Sequence, residues 1–279
     1  MKICSWLIVF LIGGSMLAQQ PQLTKVKDST SIWQMIKYDG KAAWGGFSHA
    51  LTRPLEWDAE QWTTAGIVVG GTVLLAIVDE DTSPYFREQE EDVPKIFRDI
   101  GLRGGSPQVA YGLTGSVYVV GLLTKNEKIR ETGVLMITSA SVAGLIQTIT
   151  KAAVGRARPQ TEVGAFTFKP FSGESGFRSF PSGHTVLSVT AAHSIAKQFK
   201  NPWVKTGIYL VGAIAPVSRL WNGAHWLSDV ALSAAISIFT VDAIHNYLNE
   251  NEYYGNRKKK GISWNVQAGL GRVGIVGSF

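Results

Sequence analysis

Cysteine is almost missing from this chain: Cys4 is the single one in 279 residues. One thiol cannot close a disulfide within a chain, so a disulfide-stapled scaffold is excluded. Charge is also scarce. Asp, Glu, Lys and Arg make up 17% of the chain, against roughly 25% in soluble domains. That deficit tilts the reading toward contact with a membrane. The charge present leans basic, with a formal net of +6, which suits an anionic substrate or lipid headgroups but is diffuse. The chain shows no internal repeat and no nucleic-acid-binding motif. Its length allows one domain with a substantial core.

The N-terminus reads as a secretory signal over residues 1–18. Lys2 gives a positive start, Cys4–Ile12 an apolar run too short to span a bilayer, and Gly13–Ala18 a small-residue exit. Residues 19–60 read as amphipathic helices carrying Trp33, Trp44 and Trp57, either at a membrane interface or as a cap over the core. Pro54 breaks this segment, and a new helix is expected near Asp58.

Six stretches with little charge follow: Gln61–Val78, Gly104–Thr124, Thr132–Thr150, Ser179–Ala196 (helical from about His184), Thr206–Ser218 and 226–246. Each approaches the roughly 20 residues that cross a bilayer, and each is diluted with Gly, Ser, Thr and Ala. Membrane helices use small residues for close packing, and this reading is favoured over buried helices of a secreted soluble bundle. Between the first two stretches, Asp79–Arg103 is rich in charge and is expected to be a solvated loop with a short helix. Residues 249–279 read as a basic linker, with Arg257 and Lys258–Lys260, and a small β-hairpin.

The chemistry lies in three clusters between Lys151 and Asp229. The first is Lys151-Ala-Ala-Val-Gly-Arg156-Ala-Arg158-Pro159. The second is Pro181-Ser182-Gly183-His184. The third runs from Ser218-Arg219 through His225 to Asp229. Arginine donates paired hydrogen bonds to a phosphate and keeps its proton, and lysine adds a point charge. Lys151 and Arg158 are spaced to share a helix face, although Pro159 disfavours helix at Arg158. Pro181-Ser182-Gly183-His184 reads as a turn into a helix whose first amides are free for an anion. The Ser182 hydroxyl is a further donor, and Gly183 permits close backbone approach. His225 and Asp229 are spaced to share one helix face, where the carboxylate can orient the imidazole as a nucleophile. His184 is then free to protonate the leaving oxygen.

Taken together, Lys-x6-Arg-Pro, Pro-Ser-Gly-His and Ser-Arg-x5-His-x3-Asp resemble the signature of the phosphatidic acid phosphatase type 2 (PAP2) and vanadium haloperoxidase superfamily, and every fixed position matches. The resemblance covers residues 151–229. It implies an all-α core without a metal or other cofactor and a covalent phosphohistidine intermediate. It makes His225 the nucleophile, Asp229 its partner and His184 the general acid. Lys151, Arg158, Ser182, Gly183 and Arg219 hold the phosphate. It assigns no role to Arg156 or Asn222.

The expected architecture is therefore an all-α bundle of about six core helices over residues 61–248, in the membrane of a bacterial-type cell envelope. The expected activity is a metal-independent phosphatase acting on lipid monoesters or diphosphates. Alternatives are a soluble periplasmic acid phosphatase for small phosphomonoesters, a vanadium haloperoxidase, and a non-enzymatic membrane module. One conflict stays open. A cleaved signal followed by six spans places the clusters in the cytoplasm, whereas the basic run at 257–260 and the resemblance favour the periplasmic side.

Overall fold

The computed structural model describes residues 31–255 and the backbone of 263–269 and 272–278. The expected signal at 1–18 and the basic run at 257–260 lie outside the described residues. Residues 31–255 are all-helical. Nine α-helices occur among them: α1 (Ile32–Thr52), α2 (Ala59–Ile77), α3 (Asp79–Glu88), α4 (Lys95–Gly104), α5 (Pro107–Leu123), α6 (Glu127–Val154), α7 (Gly183–Ala196), α8 (Pro202–Trp221) and α9 (Leu227–Glu250). Beyond them, β1 (Ser263–Gly269) pairs antiparallel with β2 (Arg272–Ser278), in a register from Ser263–Ser278 to Gly269–Arg272.

The helix starts follow local chemistry. Ser31 and Asp58 each form a reciprocal capping box with the Gln three residues on, and Ser106, Asn126, Ser182 and Asn201 accept from the first-turn amides. Pro107 and Pro202 occupy first helical positions, where a missing N–H costs nothing. The 19–60 region contributes one long helix and a short 3-10 turn at Arg53–Glu56 within its described part.

The core lies where α6 and α9 meet α1. Leu135, Val142, Val241, Ile244 and Leu248 are almost fully buried there, closed by Ala42 and Tyr254. A second contact joins α5, α6 and α7 through Ala110, Ala140 and Leu187. α1 is pinned by Asp39, which accepts from the Arg130 guanidinium at 2.7 and 3.0 Å, from Tyr118 at 2.9 Å and from Tyr254 at 2.8 Å.

The outer face is apolar. Ile67, Leu74 and Ile77 on α2, Leu123 on α5, Ile149 on α6 and Leu210 on α8 are all exposed. Exposure on that scale, spread around the bundle, exceeds what soluble monomers show. Three helices, α2, α6 and α9, are long and apolar enough to cross a membrane. α5, α7 and α8 correspond to the other three sequence stretches. Only three of the six stretches therefore meet the length and hydropathy of a span. The membrane is where this protein resides.

Asp79–Arg103, expected as a solvated loop with a short helix, is largely exposed but carries two short helices, α3 and α4, and Asp79 has no exposed surface. The acidic side chains hid this, because a carboxylate is buried only when a cation and donors meet it.

Candidate active site

α6 delivers Lys151 and then stops at Val154. Gly155 caps it in the left-handed region at φ 58°, a conformation cheap only for glycine. A side chain there would also collide with the Lys169 carbonyl, 1.9 Å from the Cβ position. The chain leaves the helix extended, with Arg158 at φ −83° and ψ 154°. Lys151 and Arg158 therefore do not share a helix face, because the helix ends before Arg158. They still converge, and the two charges act on one another.

Residues 155–182 form a folded lobe rather than an open loop. The Ala157 amide donates to the Thr167 carbonyl at 2.9 Å and the Arg158 amide to Gly176 at 2.9 Å. The Lys169 amide donates to Gly155 at 2.7 Å, and that of Ser179 to Arg156 at 3.0 Å. Glu80 holds the lobe from outside by accepting from the Ala165 amide at 2.7 Å. Phe177 is buried beneath the Lys169 ammonium, whereas Phe166, Phe168 and Phe171 are exposed.

α7 begins at Gly183. Ser182 caps it by accepting from the Thr185 amide at 3.4 Å and the Thr185 hydroxyl at 3.0 Å, while its own amide donates to Ser233 at 2.7 Å. The Ser182 oxygen is thus occupied as an acceptor, and its proton is left to donate. Arg219 ends α8, with Nε 3.2 Å and Nη2 3.1 Å from the Ser218 hydroxyl. The buried Lys151 ammonium donates to the Arg178 carbonyl at 2.7 Å. The Nε of Arg158 is buried and has no partner among the described residues.

His225 precedes α9 and does not lie on it, because the helix starts at Leu227. The expected shared helix face is therefore replaced by a loop-to-helix contact. Asp229 sits in the first turn and accepts from the Trp226 amide at 2.9 Å, which folds the chain back so that His225 Nδ1 lies 3.5 Å from its Oδ2. That gap exceeds a hydrogen bond, and Nδ1 is buried without a partner among the described residues.

Asp229 is itself gripped. Its Oδ1 accepts from Arg156 Nη1 at 2.7 Å and its Oδ2 from the Ser179 hydroxyl. Arg156 reaches Asp79 through Nη2 at 2.9 Å and the Ser228 hydroxyl through Nη1 at 2.7 Å. Asp79 in turn accepts from the Ser228 amide at 3.0 Å and from the Ser228 hydroxyl. Trp226 closes the floor, donating its indole N–H to the Ala157 carbonyl at 2.7 Å, with the Arg156 guanidinium over its ring. Sequence reasoning missed this network of Asp79, Arg156, Ser179 and Ser228. One signal was available: Asp79 directly follows an apolar stretch, the position where α2 reaches the site.

The electrostatics show the clusters acting on one place. Burial pushes the His225 imidazole down to about 4, with Lys151 and Arg158 adding to the shift and Asp229 opposing it. Burial likewise pushes His184 down to about 4, assisted by Arg219, Lys151 and Arg158 and opposed by a hydrogen bond to the Leu102 backbone. Two neutral imidazoles thus face three cations. The Arg158 Nε, buried without a partner among the described residues, adds a free donor to that array. Such an array can hold an anion and attack it.

Residues 132–253 match the family model described as PAP2 superfamily. Lipid A 1-phosphatases of Rhizobium etli and Rhizobium johnstonii are each 36% identical over 108 residues, 37% of this chain and 44% and 42% of theirs. The match therefore spans less than half the length of those relatives. A transmembrane PAP2-type phosphatidylglycerolphosphate phosphatase from Bacillus subtilis superposes with a TM-score of 0.51 over 66% of this chain and 94% of that one, at 18% identity, a likeness of fold. Residues 132–253, which hold all three clusters, belong to the PAP2 superfamily.

Proposed function

We propose that this protein is a membrane phosphatase that removes a phosphate monoester, or the outer phosphate of a diphosphate, from a lipid. The observation that carries this reading is the convergence of Lys151, Arg158 and Arg219 on a buried His225 and a half-buried His184, the former aimed by a carboxylate that is itself held by Arg156, Ser179 and the Trp226 amide. In this reading Lys151, Arg158, Arg219, the Ser182 hydroxyl and the amides of Gly183 and His184 bind the phosphate.

With Nδ1 turned toward Asp229, His225 attacks phosphorus through Nε2. The bond from phosphorus to the leaving oxygen breaks, and His184 gives that oxygen a proton. Water then attacks the phosphohistidine, with the now neutral His184 taking its proton, and inorganic phosphate leaves. Bound phosphate supplies the negative charge that an empty site lacks, so it raises the affinity of His184 for the proton it must give. The lipid reading is favoured over a soluble acid phosphatase by the apolar outer face and by Phe166, Phe168 and Phe171, bare beside the site.

The chain's orientation follows the same reading. Lys125, Lys128, Lys197 and Lys200 lie at the bundle end opposite the site, where α5 meets α6 and α7 meets α8. The positive-inside tendency supports that end in the cytoplasm and, with it, the site at the periplasmic face.

The test is phosphate release from phosphatidic acid and lipid A in mixed micelles, with His225→Ala as control. The expected result is turnover by the wild type and its loss in the variant. Turnover retained by His225→Ala would overturn the mechanism.

A further inference from the structure

The run Gly101-Leu-Arg-Gly-Gly105 ends α4 and sets two glycines four residues apart, on one helix face. Both are buried. Small residues at that spacing let a helix meet its neighbours backbone to backbone. A Cβ at Gly101 would stand 2.3 Å from Ser218 Cβ and 3.1 Å from the Ile214 carbonyl oxygen. One at Gly105 would stand 2.7 Å from His184 Cβ and 2.8 Å from its carbonyl oxygen. Gly104, next to it, has nothing within 4 Å of the same position. Gly105 sits at φ −93°, a conformation open to any residue, so closeness alone asks for glycine there. With one face α4 therefore touches two of the three clusters: the serine that holds the Arg219 guanidinium, and the backbone of His184.

The same helix end reaches the His184 ring. The ring bonds to the Leu102 backbone in a way that favours the protonated imidazole, so the ring donates and the carbonyl accepts. Burial and the charges of Arg219, Lys151 and Arg158 all oppose that proton. A ring that donates through one nitrogen is also fixed in orientation, and the other nitrogen is left for the substrate. On the side of α4 turned away from the glycines, Ile96 and Ile100 are bare, at 63% and 42% exposure. A surface helix in water turns its apolar side inward, whereas this apolar face lies against lipid and leaves the glycine face to the site.

We infer that α4 positions the general acid, with Gly101 and Gly105 as positioning residues whose close contacts hold the Leu102 carbonyl where it aims the His184 ring at the leaving oxygen. This rests on the phosphatase reading above. As His225 bonds to phosphorus and the bond to the leaving oxygen breaks, the proton passes from His184 to that oxygen. A ring out of place leaves the oxygen to depart as an alkoxide. The damage from moving α4 therefore depends on the leaving group. An alkoxide needs the proton, whereas a nitrophenolate is stable enough to leave without it.

The experiment compares kcat/KM for two phosphates that carry the same long alkyl chain, an alkyl phosphate and a nitrophenyl phosphate, with the full chain in mixed micelles. The quantity read is the ratio of the first value to the second. It follows expulsion of the leaving group, and damage to phosphate binding cancels from it. Gly105→Ala and Gly101→Ala should each lower the ratio at least tenfold, in the direction His184→Ala lowers it, and Gly104→Ala should leave it unchanged. Gly101→Ala moves α4 from the other contact, so the test stands even where Gly105→Ala fails to fold. A ratio unmoved by the glycine variants, whether both substrates are turned over normally or both fail equally, overturns the positioning role and leaves the phosphatase reading intact. A ratio lowered as far by Gly104→Ala overturns it as well. A wild type that hydrolyses neither substrate overturns both readings.

Discussion

Asp229 has no exposed surface, and both its oxygens are occupied, by Arg156 on one side and by Ser179 and the Trp226 amide on the other. A buried carboxylate held this way can move only with its whole network. Arg156 is the link, because it alone joins Asp229 to Asp79. Removing it as Arg156→Ala leaves two buried carboxylates uncompensated, a loss of about 3–5 kcal/mol, to be read as lowered thermal stability in detergent. Arg156→Lys keeps the charge but cannot reach Asp79, Ser228 and Asp229 at once. It should fold and show kcat reduced about tenfold or more, with KM little changed. An unchanged kcat would show that the network is structural and does not aim His225. The two histidines give a pH signature. Both imidazoles are held at about 4 in the fold, against about 6.5 in an unfolded chain. The unfolded state therefore binds more protons between those values, and stability is lost as pH falls from about 6.5 toward 4. Thermal unfolding in detergent at pH 7.5, 5.5 and 4.5, followed by loss of helical circular dichroism, should show the decline, and His225→Asn should make it shallower.

At the level of elements, the sequence was most informative where helix caps and motif residues coincide. Asp58 and the Pro181-Ser182-Gly183-His184 turn mark starts that the fold uses. It was least informative at the ends that build the site. Lys151 and Arg158, and His225 and Asp229, were paired by helical spacing, yet α6 ends at Val154 and α9 begins at Leu227. The functional geometry comes from chain leaving or entering a helix, which spacing rules do not reach. Gly155 was the missed signal, since its left-handed turn sends Arg156 toward Asp79 and Asp229 instead of continuing the helix. The partner of Asp79 was illegible for another reason: its cation lies 77 residues away in sequence. Gly155→Val combines a positive φ with a Cβ overlapping the Lys169 carbonyl, so it should displace the 155–182 lobe. The expected outcome is loss of turnover together with faster proteolysis within that lobe. An intact lobe with full turnover would refute this account of Gly155.

For the whole molecule, the site gathers at one end. α3 begins there with Asp79, directly after α2, and the last turns of α6 and α8 bring Lys151 and Arg219, while α7 and α9 begin there with Ser182 and Trp226 at their caps. The opposite end holds Asp39 with Arg130 and Tyr254, and His193 with Asp242 and Tyr209, so α1 starts on the far side from the chemistry. That placement sharpens the conflict between a cleaved signal and the charge distribution. An N-terminus freed outside the cell would put the lysine-bearing connections outside and the site inside. The lysines argue for the reverse, and a substrate in the outer half of the bilayer needs the reverse. Labelling settles it in a chain whose own cysteine is replaced, Cys4→Ser. Glu174→Cys on the lobe should react with a membrane-impermeant maleimide in intact spheroplasts. Lys200→Cys, between α7 and α8, should react only after permeabilisation. The opposite pattern would place the site in the cytoplasm. Phosphate would then be removed from lipids of the inner leaflet, and the apolar face of α4 would lie on that surface.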